Sequence, residues 1–538
     1  MKKLPLAKSS FPQMIEEGYV YVDKTKEIYD LINYSSYVFL SRPRRFGKSL
    51  LISTLEALFQ GKKELFKGLW IEDKIEWKEY PVLRIDFGDL NYKSLELFEE
   101  QMSSILDRFG ERYDISLTSS HYLSKIRNLI LDVYDKTGKE LVILVDEYDA
   151  PIARHIADLE LATKYQNSLR DFYSILKARN NEIKFVFLTG ISKFAKMSIF
   201  SVINLMKDVS LLKPFNNIVG FTPVDLQDYF GDYIAAFAQE EKISEDELLA
   251  KLTYWYDGYS WEAKNKIFNP YSIVNVFKDL KFKNYWFETG TPTILMELIK
   301  EKYSKEREKA PTMEEFENKE AVGLDSSYDL EQKIPLEKLL FETGYLTVTD
   351  LLETEIGDLY TLTYPNYEVR HSFNAFILSA FSADTTNSIH YKAIKLRTAL
   401  EANDKEGFLT LLRSLFGALP YQHRNKASEA YYHGLFYLVM TLLGVRPNLE
   451  DATDKGRIDC TLDLGKKIYI IEFKYGEKGT MDYLLKQAIN QIDQLKYYES
   501  FEGLDKEIWL LGVGFLVKKD AKLKKHVLTI EGELKQHG

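Results

Sequence analysis

Two groups of residues in this 538-residue chain have the types and spacing that phosphate chemistry requires. In the first, the segment SRPRRFGKSLL follows the apolar run ending at Leu40 and places Gly47 where a strand would meet a helix. The free N–H groups and dipole of a helix start attract anions, Lys48 can reach terminal phosphates, and Ser49 can coordinate Mg²⁺. The segment therefore predicts a phosphate loop. Its predicted nucleotide-contacting residues are Arg44, Arg45, Phe46, Gly47, Lys48 and Ser49.

The loop departs from the GxxxxGK[ST] pattern because Arg42 stands at the first glycine position. Arg42 would reshape the turn, and the extra guanidinium groups of the loop could contact phosphate themselves. Gly-Lys-Ser alone is short enough to arise by chance. The prediction therefore depends on acidic residues elsewhere in the chain.

Those acids lie in LVILVDEYDAP, where five apolar residues lead into Asp146 and Glu147. Open α/β sheets bind ligands at the carboxyl ends of their strands, and two acids that end a buried strand need partners there. Asp146 is predicted to hold Mg²⁺ through water, and Glu147 to orient or deprotonate the attacking water. A further apolar run, IKFVFLTGIS, puts Thr189 and Ser192 where they would lie beside the terminal phosphate. These segments together predict nucleotide binding and hydrolysis.

The second group lies near the C-terminal end, where RIDCTLDL and KKIYIIEFKY are joined at Gly465 and predict a hairpin. Asp459 and Glu472 would then come from paired strands, and Lys474 would share a face with Glu472 because strand residues alternate. Two such carboxylates can hold Mg²⁺ or Mn²⁺, which stabilises charge on a phosphodiester, while Lys474 positions or activates water. Glu429, in a helical segment upstream, is predicted as a further metal ligand.

The spacing from Asp459 to Glu472 leaves another interpretation open, because a surface hairpin with alternating charge would produce it too. The apolar density of KKIYIIEFKY favours a central strand. His433 is interpreted as a packed histidine rather than a ligand, and Cys460 as a core residue. The Tyr and Trp residues of YWYDGYSW, residues 254–261, are interpreted as domain packing rather than as platforms for base stacking.

Hydrophobic patterning predicts an α/β multidomain chain. Strand-length apolar runs alternate with helical patterns in residues 1–215, which indicates a parallel sheet with flanking helices. Residues 216–385 are less regular and are predicted to form a mostly helical connecting region. Residues 386–538 are predicted to form an α/β domain that contains the hairpin.

Composition limits the classes of partner. With 71 Lys plus Arg against 81 Asp plus Glu, the net charge of -10 argues against a chain that coats nucleic acid along its whole length. Residues 411–538 alone carry 19 basic and 17 acidic side chains, so a DNA contact is expected there.

A single cysteine excludes an internal disulfide and a thiolate-rich zinc site. Because no apolar stretch reaches the roughly 18 residues of a spanning helix, we expect a cytoplasmic protein with no membrane partner.

The N-terminal half resembles the bacterial and archaeal AAA-ATPase-like family in three motifs: YVDKT at residues 21–25, the RPRRFGKS loop and the DEYD segment. Family-like phrases continue downstream as NPYS from residue 269, YWFETGTP from 285, FETGYLT from 341 and YPNYEVR from 364. The resemblance implies an AAA-like P-loop fold for residues 1–215. It also implies a PD-(D/E)XK nuclease-like fold for residues 386–538, although Arg457 and Ile458 replace the proline before the first acid.

These observations lead to one principal hypothesis of function. The chain is expected to bind and hydrolyse ATP with Mg²⁺, and to cleave DNA at a nuclease site that uses Mg²⁺ or Mn²⁺ and is gated by the nucleotide. The alternative is a nucleotide-switched signalling or scaffold protein whose nuclease-like domain binds nucleic acid or a partner without cleaving. No arginine finger is singled out among Arg44, Arg45, Arg154 and Arg170, and one supplied by a neighbouring subunit would imply a homo-oligomer. The resemblance is compatible with a role in bacterial defence.

Overall fold

The computed structural model divides into two compact units. Unit 1 comprises residues 1–295 and 316–369, and unit 2 comprises residues 296–315 and 370–538. The predicted division at residues 215 and 385 stays a prediction. The structure describes residues 1–156, 158–193, 205–286, 295, 298–299, 317–326, 335–381, 385–417, 429–443, 451–453, 456–458, 460–520 and 525–537.

A five-stranded parallel sheet forms the centre of unit 1, in the order β2-β3-β4-β1-β5. Its strands are β1 (Tyr37–Ser41), β2 (Val82–Asp86), β3 (Leu141–Asp146), β4 (Ile183–Gly190) and β5 (Lys207–Asp208). Every residue of β1 and β3 is buried, because parallel strands are covered on both faces. The strand β4 separates β1 from β3, so the carboxyl ends of all three meet at one edge. This edge carries the predicted phosphate loop and the two predicted acids.

Helices flank this sheet, as the sequence predicts. They are α1 (Phe11–Glu16), α2 (Thr25–Tyr34), α3 (Lys48–Phe59), α4 (Leu95–Glu111), α5 (Tyr122–Thr137), α6 (Ala150–Ala153) and α7 (Leu159–Ala178). Apolar residues recur at helical spacing in α5, where Ile126, Leu129, Ile130 and Val133 enter the core beside the sheet. The helix α3 starts directly after the phosphate loop and therefore presents its N-terminus to the edge of the sheet.

The rest of unit 1 is mostly helical, as predicted, but also contains a sheet that the sequence did not indicate. Its helices are α8 (Pro223–Glu241), α9 (Glu245–Tyr256), α10 (Pro270–Asp279) and α11 (Leu336–Glu342). A three-stranded antiparallel sheet consists of β6 (Lys319–Val322), β7 (Thr347–Leu352) and β8 (Leu359–Thr363), with β8 in the middle. Val20 and Val22 pack into one core with α8, α9 and α10. The YVDKT segment is therefore held against this helical part.

Unit 2 contains the predicted C-terminal hairpin, which the strand pairing confirms. A four-stranded sheet has the order β11 (Cys460–Asp463), β12 (Lys467–Gly476), β13 (Glu507–Asp520) and β14 (Lys525–His537). The strands β11 and β12 are antiparallel and pair Cys460 with Ile471, while β12 and β13 are parallel. The strands β9 (Asp451–Thr453) and β10 (Gly456–Ile458) form a separate pair.

Unit 2 also contains helices. They are α12 (Tyr367–Phe381), whose first residues belong to unit 1, α13 (Thr386–Glu401), α14 (Lys405–Gly417), α15 (Glu429–Leu442) and α16 (Met481–Leu495). Ile489 and Ile492 of α16 pack on Ile468 and Ile470 of β12. Every second residue of a strand faces the same side, so residues 468, 470, 472 and 474 share one face. The helix α16 therefore lies on the face that carries Glu472 and Lys474.

A partly buried histidine pair should make unit 2 sensitive to acid. The rings of His371 and His390 stack with centroids 5.3 Å apart. Burial and the neighbouring His390 lower the pKa of His371 to about 4, and burial also lowers the pKa of His390. The unfolded chain binds these protons first, so stability falls as the pH drops from about 6.5 towards 4, by up to about 3 kcal/mol for His371.

Denaturant unfolding of the full chain between pH 7.5 and 4.5, followed by circular dichroism, measures this effect. The double substitution His371→Gln with His390→Gln should flatten the decline below pH 6.5. An identical slope in the wild type and the double variant would contradict the assignment.

Candidate functional site

The predicted phosphate loop joins β1 to α3 and presents a helix N-terminus to the edge of the sheet. Gly47 precedes the helix with a φ of 99°, in the left-handed region that suits glycine. Lys48 Nζ donates to the carbonyl oxygens of Arg42 and Pro43, at 2.9 Å each. Burial lowers the pKa of Lys48, while Asp146 and Glu147 oppose that shift. An ammonium has three donors, so one remains for a phosphate.

Arg42 is directed into the protein interior, where it stabilises the phosphate loop. Its guanidinium group is fully buried and donates to the carbonyl oxygens of Ser41, Ser210 and Phe215. Burial lowers its pKa to about 9. The arginines predicted to contact phosphate, Arg44 and Arg45, are exposed at the loop surface.

Three carboxylates gather where β2 and β3 end. Asp146 is almost fully buried, and its Oδ1 accepts the N–H of Glu147 at 3.0 Å. Its other oxygen, Oδ2, is buried and has no hydrogen-bond partner among the described residues. A buried carboxylate oxygen without a donor suits a hard cation, so Asp146 fits the Mg²⁺ that this class of site uses. Asp86 lies opposite Asp146 in the sheet, and burial followed by the charge of Asp146 raises its pKa.

Glu147 has the properties of a proton acceptor. Burial, and then the charge of Asp149, raises the pKa of Glu147 above its ordinary value. Its φ is +49°, a conformation that non-glycine residues adopt rarely and that recurs at functional sites. A Cβ atom at Gly88 would lie 2.7 Å from Glu147 Oε2, so the absent side chain makes room for the carboxylate. A carboxyl group with a raised pKa accepts a proton more readily at neutral pH.

One cavity of about 580 Å³ is lined both by the phosphate loop and by the acids at the end of β3. Its lining includes Arg44, Arg45, Phe46, Gly47, Lys48, Ser49, Asp146 and Glu147. Among the four candidate arginine fingers, Arg154 also lines it, whereas Arg170 is exposed and does not. The lining also includes residues of the N-terminal segment and of α10, among them Val20, Val22 and Val274. Charged and apolar side chains therefore line the same cavity.

Thr189 and Ser192 make contacts other than those expected beside a terminal phosphate. Thr189 is fully buried, and its hydroxyl donates to the carbonyl oxygen of Leu40 at 2.7 Å, so it does not line the cavity. Ser192 donates from its N–H and its hydroxyl to Asp149 Oδ2, at 2.8 and 2.6 Å. The geometry favours a structural role for Thr189, and its contact with a nucleotide stays a prediction.

Sequence reasoning missed the parts played by Asp149 and Asp86. Asp149 accepts hydrogen bonds from the segment that follows β4 and so couples that segment to the segment carrying Glu147. The last acid of DEYD could have signalled this role. Asp86 ends an apolar run in VLRIDF, as Asp146 does in LVILVD, and the same signal was available there.

In unit 2 the structure places two of the predicted nuclease residues together. Glu472 is fully buried, and Lys474 Nζ lies 2.8 Å from Glu472 Oε1, as expected for residues on one strand face. Their partners on β13 are Gly512 and Gly514. A Cβ atom at Gly514 would lie 2.6 Å from Met481 Sδ, so the glycine lets α16 approach the sheet beside this pair.

Other predicted residues of this group cannot be placed. Asp459 lies outside the described residues. Glu429 begins α15, but its side chain is not among those described. Within the described part of the chain, no three His, Cys, Asp or Glu side chains converge as a preformed metal cage. Cys460 is buried, as expected for a core residue.

Comparison with known proteins agrees with this two-part organisation. Residues 5–200 match the family described as predicted AAA-ATPase, and residues 427–525 match the PD-(D/E)XK nuclease superfamily. A protein of Azotobacter chroococcum mcd 1, described as an uncharacterized protein in the vnfD 5′ region, is 34% identical over 521 residues, 96% of each chain. The chain therefore belongs to the AAA-ATPase-like family, and it carries a PD-(D/E)XK nuclease superfamily domain near its C-terminal end.

The structure of the ORC2 protein of Aeropyrum pernix in ADPNP–ADP complexes aligns with 66% of this chain and 92% of its own, at 10% identity and a TM-score of 0.25. Among the helices that the structure describes, none combines the length and the apolar character needed to cross a membrane.

Proposed function

We propose that unit 1 binds ATP with Mg²⁺ and hydrolyses it, and that the domain containing Glu472 is a metal-dependent DNA nuclease. One observation carries the first part of the proposal. Lys48, Ser49, Asp146 and Glu147 line one cavity, although nearly 100 residues separate the loop from the acids. A cation donor, a hydroxyl, a buried carboxylate and a proton acceptor in one cavity suit phosphoryl transfer to water.

Each residue has a distinct role in the proposed reaction. The N–H groups at the start of α3 and the ammonium of Lys48 would bind the terminal phosphates and stabilise the charge that develops on them. Ser49 and Asp146 would hold Mg²⁺, which supplies charge neutralisation on the phosphate oxygens when bound. Glu147 would accept the proton of the attacking water, and apolar lining residues such as Val20 and Val274 would contact the base.

Glu147→Gln separates binding from hydrolysis. The amide keeps the size of the side chain but cannot accept the proton, so we expect ATP binding close to that of the wild type and turnover reduced roughly 100-fold or more. Calorimetry with MgATP and steady-state phosphate release measure the two quantities. Glu160→Gln, on an exposed turn of α7, is the control and should turn over normally. Normal turnover by Glu147→Gln would remove Glu147 from this role.

The nuclease proposal is supported by Glu472, Lys474 and the superfamily match. Glu472 would hold Mg²⁺ or Mn²⁺ together with Asp459 and Glu429, and such a metal stabilises negative charge on a phosphodiester when bound. Lys474 would position the attacking water. DNA is the proposed substrate because residues 411–538 carry no excess of acid, in contrast to the rest of the chain.

The non-cleaving alternative gives a different result in one measurement. Calorimetric titration of Mn²⁺ into the full chain without nucleotide should show a binding event that Glu472→Ala removes. If the wild type and Glu472→Ala take up Mn²⁺ identically, the domain would instead serve as a nucleotide-switched binding module.

A further inference from the structure

The downstream family-like phrases all contribute residues to a collar around the phosphate loop. We define the collar as Trp261, Asn269, Trp286, Gly344 and Glu368. All five are buried or closely packed in unit 1, and all follow the loop by more than 200 residues. The known chemistry of a nucleotide site uses none of them.

Trp286 contacts the main chain of the loop directly. Its indole Nε1–H donates to the carbonyl oxygen of Arg44 at 3.2 Å, and the amide of Asn269 approaches the same oxygen at 3.5 Å. Only 5% of the surface of Trp286 is exposed. The hydrogen bond fixes the direction of the Arg44 carbonyl and therefore of the peptide that supplies the N–H of Arg45.

Glu368 in turn fixes Trp286. It is almost fully buried, and its Oε1 accepts the main-chain N–H of Trp286 at 2.6 Å. Its Oε2 accepts the hydroxyl of Ser272 in α10 at 2.7 Å. The carboxylate of Glu368 therefore links three segments near the loop: NPYS, YWFETGTP and YPNYEVR.

Trp261 contacts other residues of the loop. The guanidinium group of Arg42 lies 3.9 Å from the centre of the Trp261 ring, and Phe46 packs edge-on against the same ring at 5.5 Å. Gly344 lies so close to Pro43 that a Cβ atom there would be 2.7 Å from the proline ring. Residues 42, 43, 44 and 46 therefore each contact the collar.

The loop needs such support because its own sequence is unfavourable for its shape. The first glycine of the usual pattern is replaced by Arg42, and Arg45 has a φ of 67°, in the left-handed region that costs a non-glycine residue energy. Surrounding contacts must hold a backbone of this kind in place.

We infer that Trp286 and Trp261 are positioning residues of the phosphate loop, and that they hold its N–H groups in the arrangement that binds phosphate. The inference rests on the proposed nucleotide binding. It assigns part of the affinity for nucleotide to residues of the helical part of unit 1, outside the ATPase motifs.

Trp286→Phe in the full chain tests the inference, because phenylalanine keeps an aromatic ring and removes the N–H donor. The Kd for MgATP, measured by calorimetry, should rise roughly fivefold to tenfold, the effect of one net hydrogen bond. The matched control is Trp77→Phe, since Trp77 Nε1–H also donates to a carbonyl, that of Glu72 at 2.9 Å, but away from the cavity. Trp77→Phe should bind MgATP as tightly as the wild type.

Tryptophan emission gives a readout that a purely structural role would not change. Addition of MgATP should alter the emission of the wild type and of Trp77→Phe, and should alter that of Trp286→Phe much less. If Trp286→Phe fails to fold, Trp261→Leu decides: leucine removes the ring that contacts Arg42 and Phe46, so the Kd for MgATP should also rise.

The outcomes distinguish a failure of the proposed function from a failure of this inference. A wild type that does not bind MgATP overturns the proposed function and this inference with it. A wild type that binds, beside a folded Trp286→Phe variant with unchanged Kd and unchanged emission response or a folded Trp261→Leu variant with unchanged Kd, overturns the inference alone.

Discussion

Replacing Lys48 with alanine should abolish nucleotide turnover. Lys48 is the buried cation of the cavity, held by the carbonyl oxygens of Arg42 and Pro43 and facing Asp146 and Glu147. In the Lys48→Ala variant, the negative charge that develops on the phosphate during hydrolysis is no longer stabilised by this ammonium group. A single donor of this kind accounts for roughly 100-fold to 1000-fold in rate, so phosphate release from ATP should fall to background.

The control for this substitution is another buried lysine of unit 1. Lys125 is 8% exposed and pairs with Asp107 at 2.5 Å, but it does not line the cavity. Lys125→Ala should lose some thermal stability and keep its turnover per folded molecule. Turnover retained by Lys48→Ala would remove the assignment of the phosphate loop.

Substitution of Glu472 or Lys474 should eliminate metal-dependent DNA cleavage while ATP turnover persists. Glu472 is fully buried beside Lys474, so Glu472→Ala removes the proposed metal ligand and Lys474→Ala removes the group proposed to position water. Metal stabilisation of a phosphodiester is worth several kcal/mol, which corresponds to a loss of about 100-fold or more. Cleavage of an end-labelled duplex with Mg²⁺ or Mn²⁺ measures it.

A nearby acid serves as the control. Glu477 follows β12 and accepts a hydrogen bond from Tyr475 at the surface. Glu477→Gln should cleave DNA at the rate of the wild type. Melting curves of all three variants identify any loss caused by unfolding. Equal cleavage by the wild type, Glu472→Ala and Lys474→Ala would contradict the nuclease assignment.

The sequence predicted the regular elements well because their patterns are local. Apolar runs such as YVFLS and LVILVD are buried in the parallel sheet, and residues 460–463 pair with residues 468–471 as the hairpin requires. Residues 456–458 pair with β9 instead. The interpretation of YWYDGYSW as packing agrees with the burial of Tyr256, Tyr259 and Trp261. The small sheet of β6, β7 and β8 was missed, because its short strands carry mixed polar residues and lack a clear alternation.

Side-chain roles were harder to predict where they depend on residues distant in sequence. Arg42 was predicted to reshape the turn, but the sequence did not indicate that its guanidinium group would be surrounded by carbonyl oxygens from residues 41, 210 and 215 and by Trp261. Thr189 lies on the expected strand, yet its hydroxyl bonds to Leu40 on the neighbouring strand. Neither partnership has a local sequence signature, because it arises only when the strands and the helical part of unit 1 assemble.

A single DNA-cleavage assay tests the proposed coupling between the nucleotide site and the nuclease site. Plasmid DNA is incubated with Mg²⁺ or Mn²⁺, with and without ATP, and with the wild type, Lys48→Ala or Glu472→Ala. We predict that cleavage by the wild type depends on the metal and changes with ATP, that Lys48→Ala loses the response to ATP, and that Glu472→Ala does not cleave. Cleavage by Glu472→Ala at the rate of the wild type, or a response to ATP that persists in Lys48→Ala, would contradict the account.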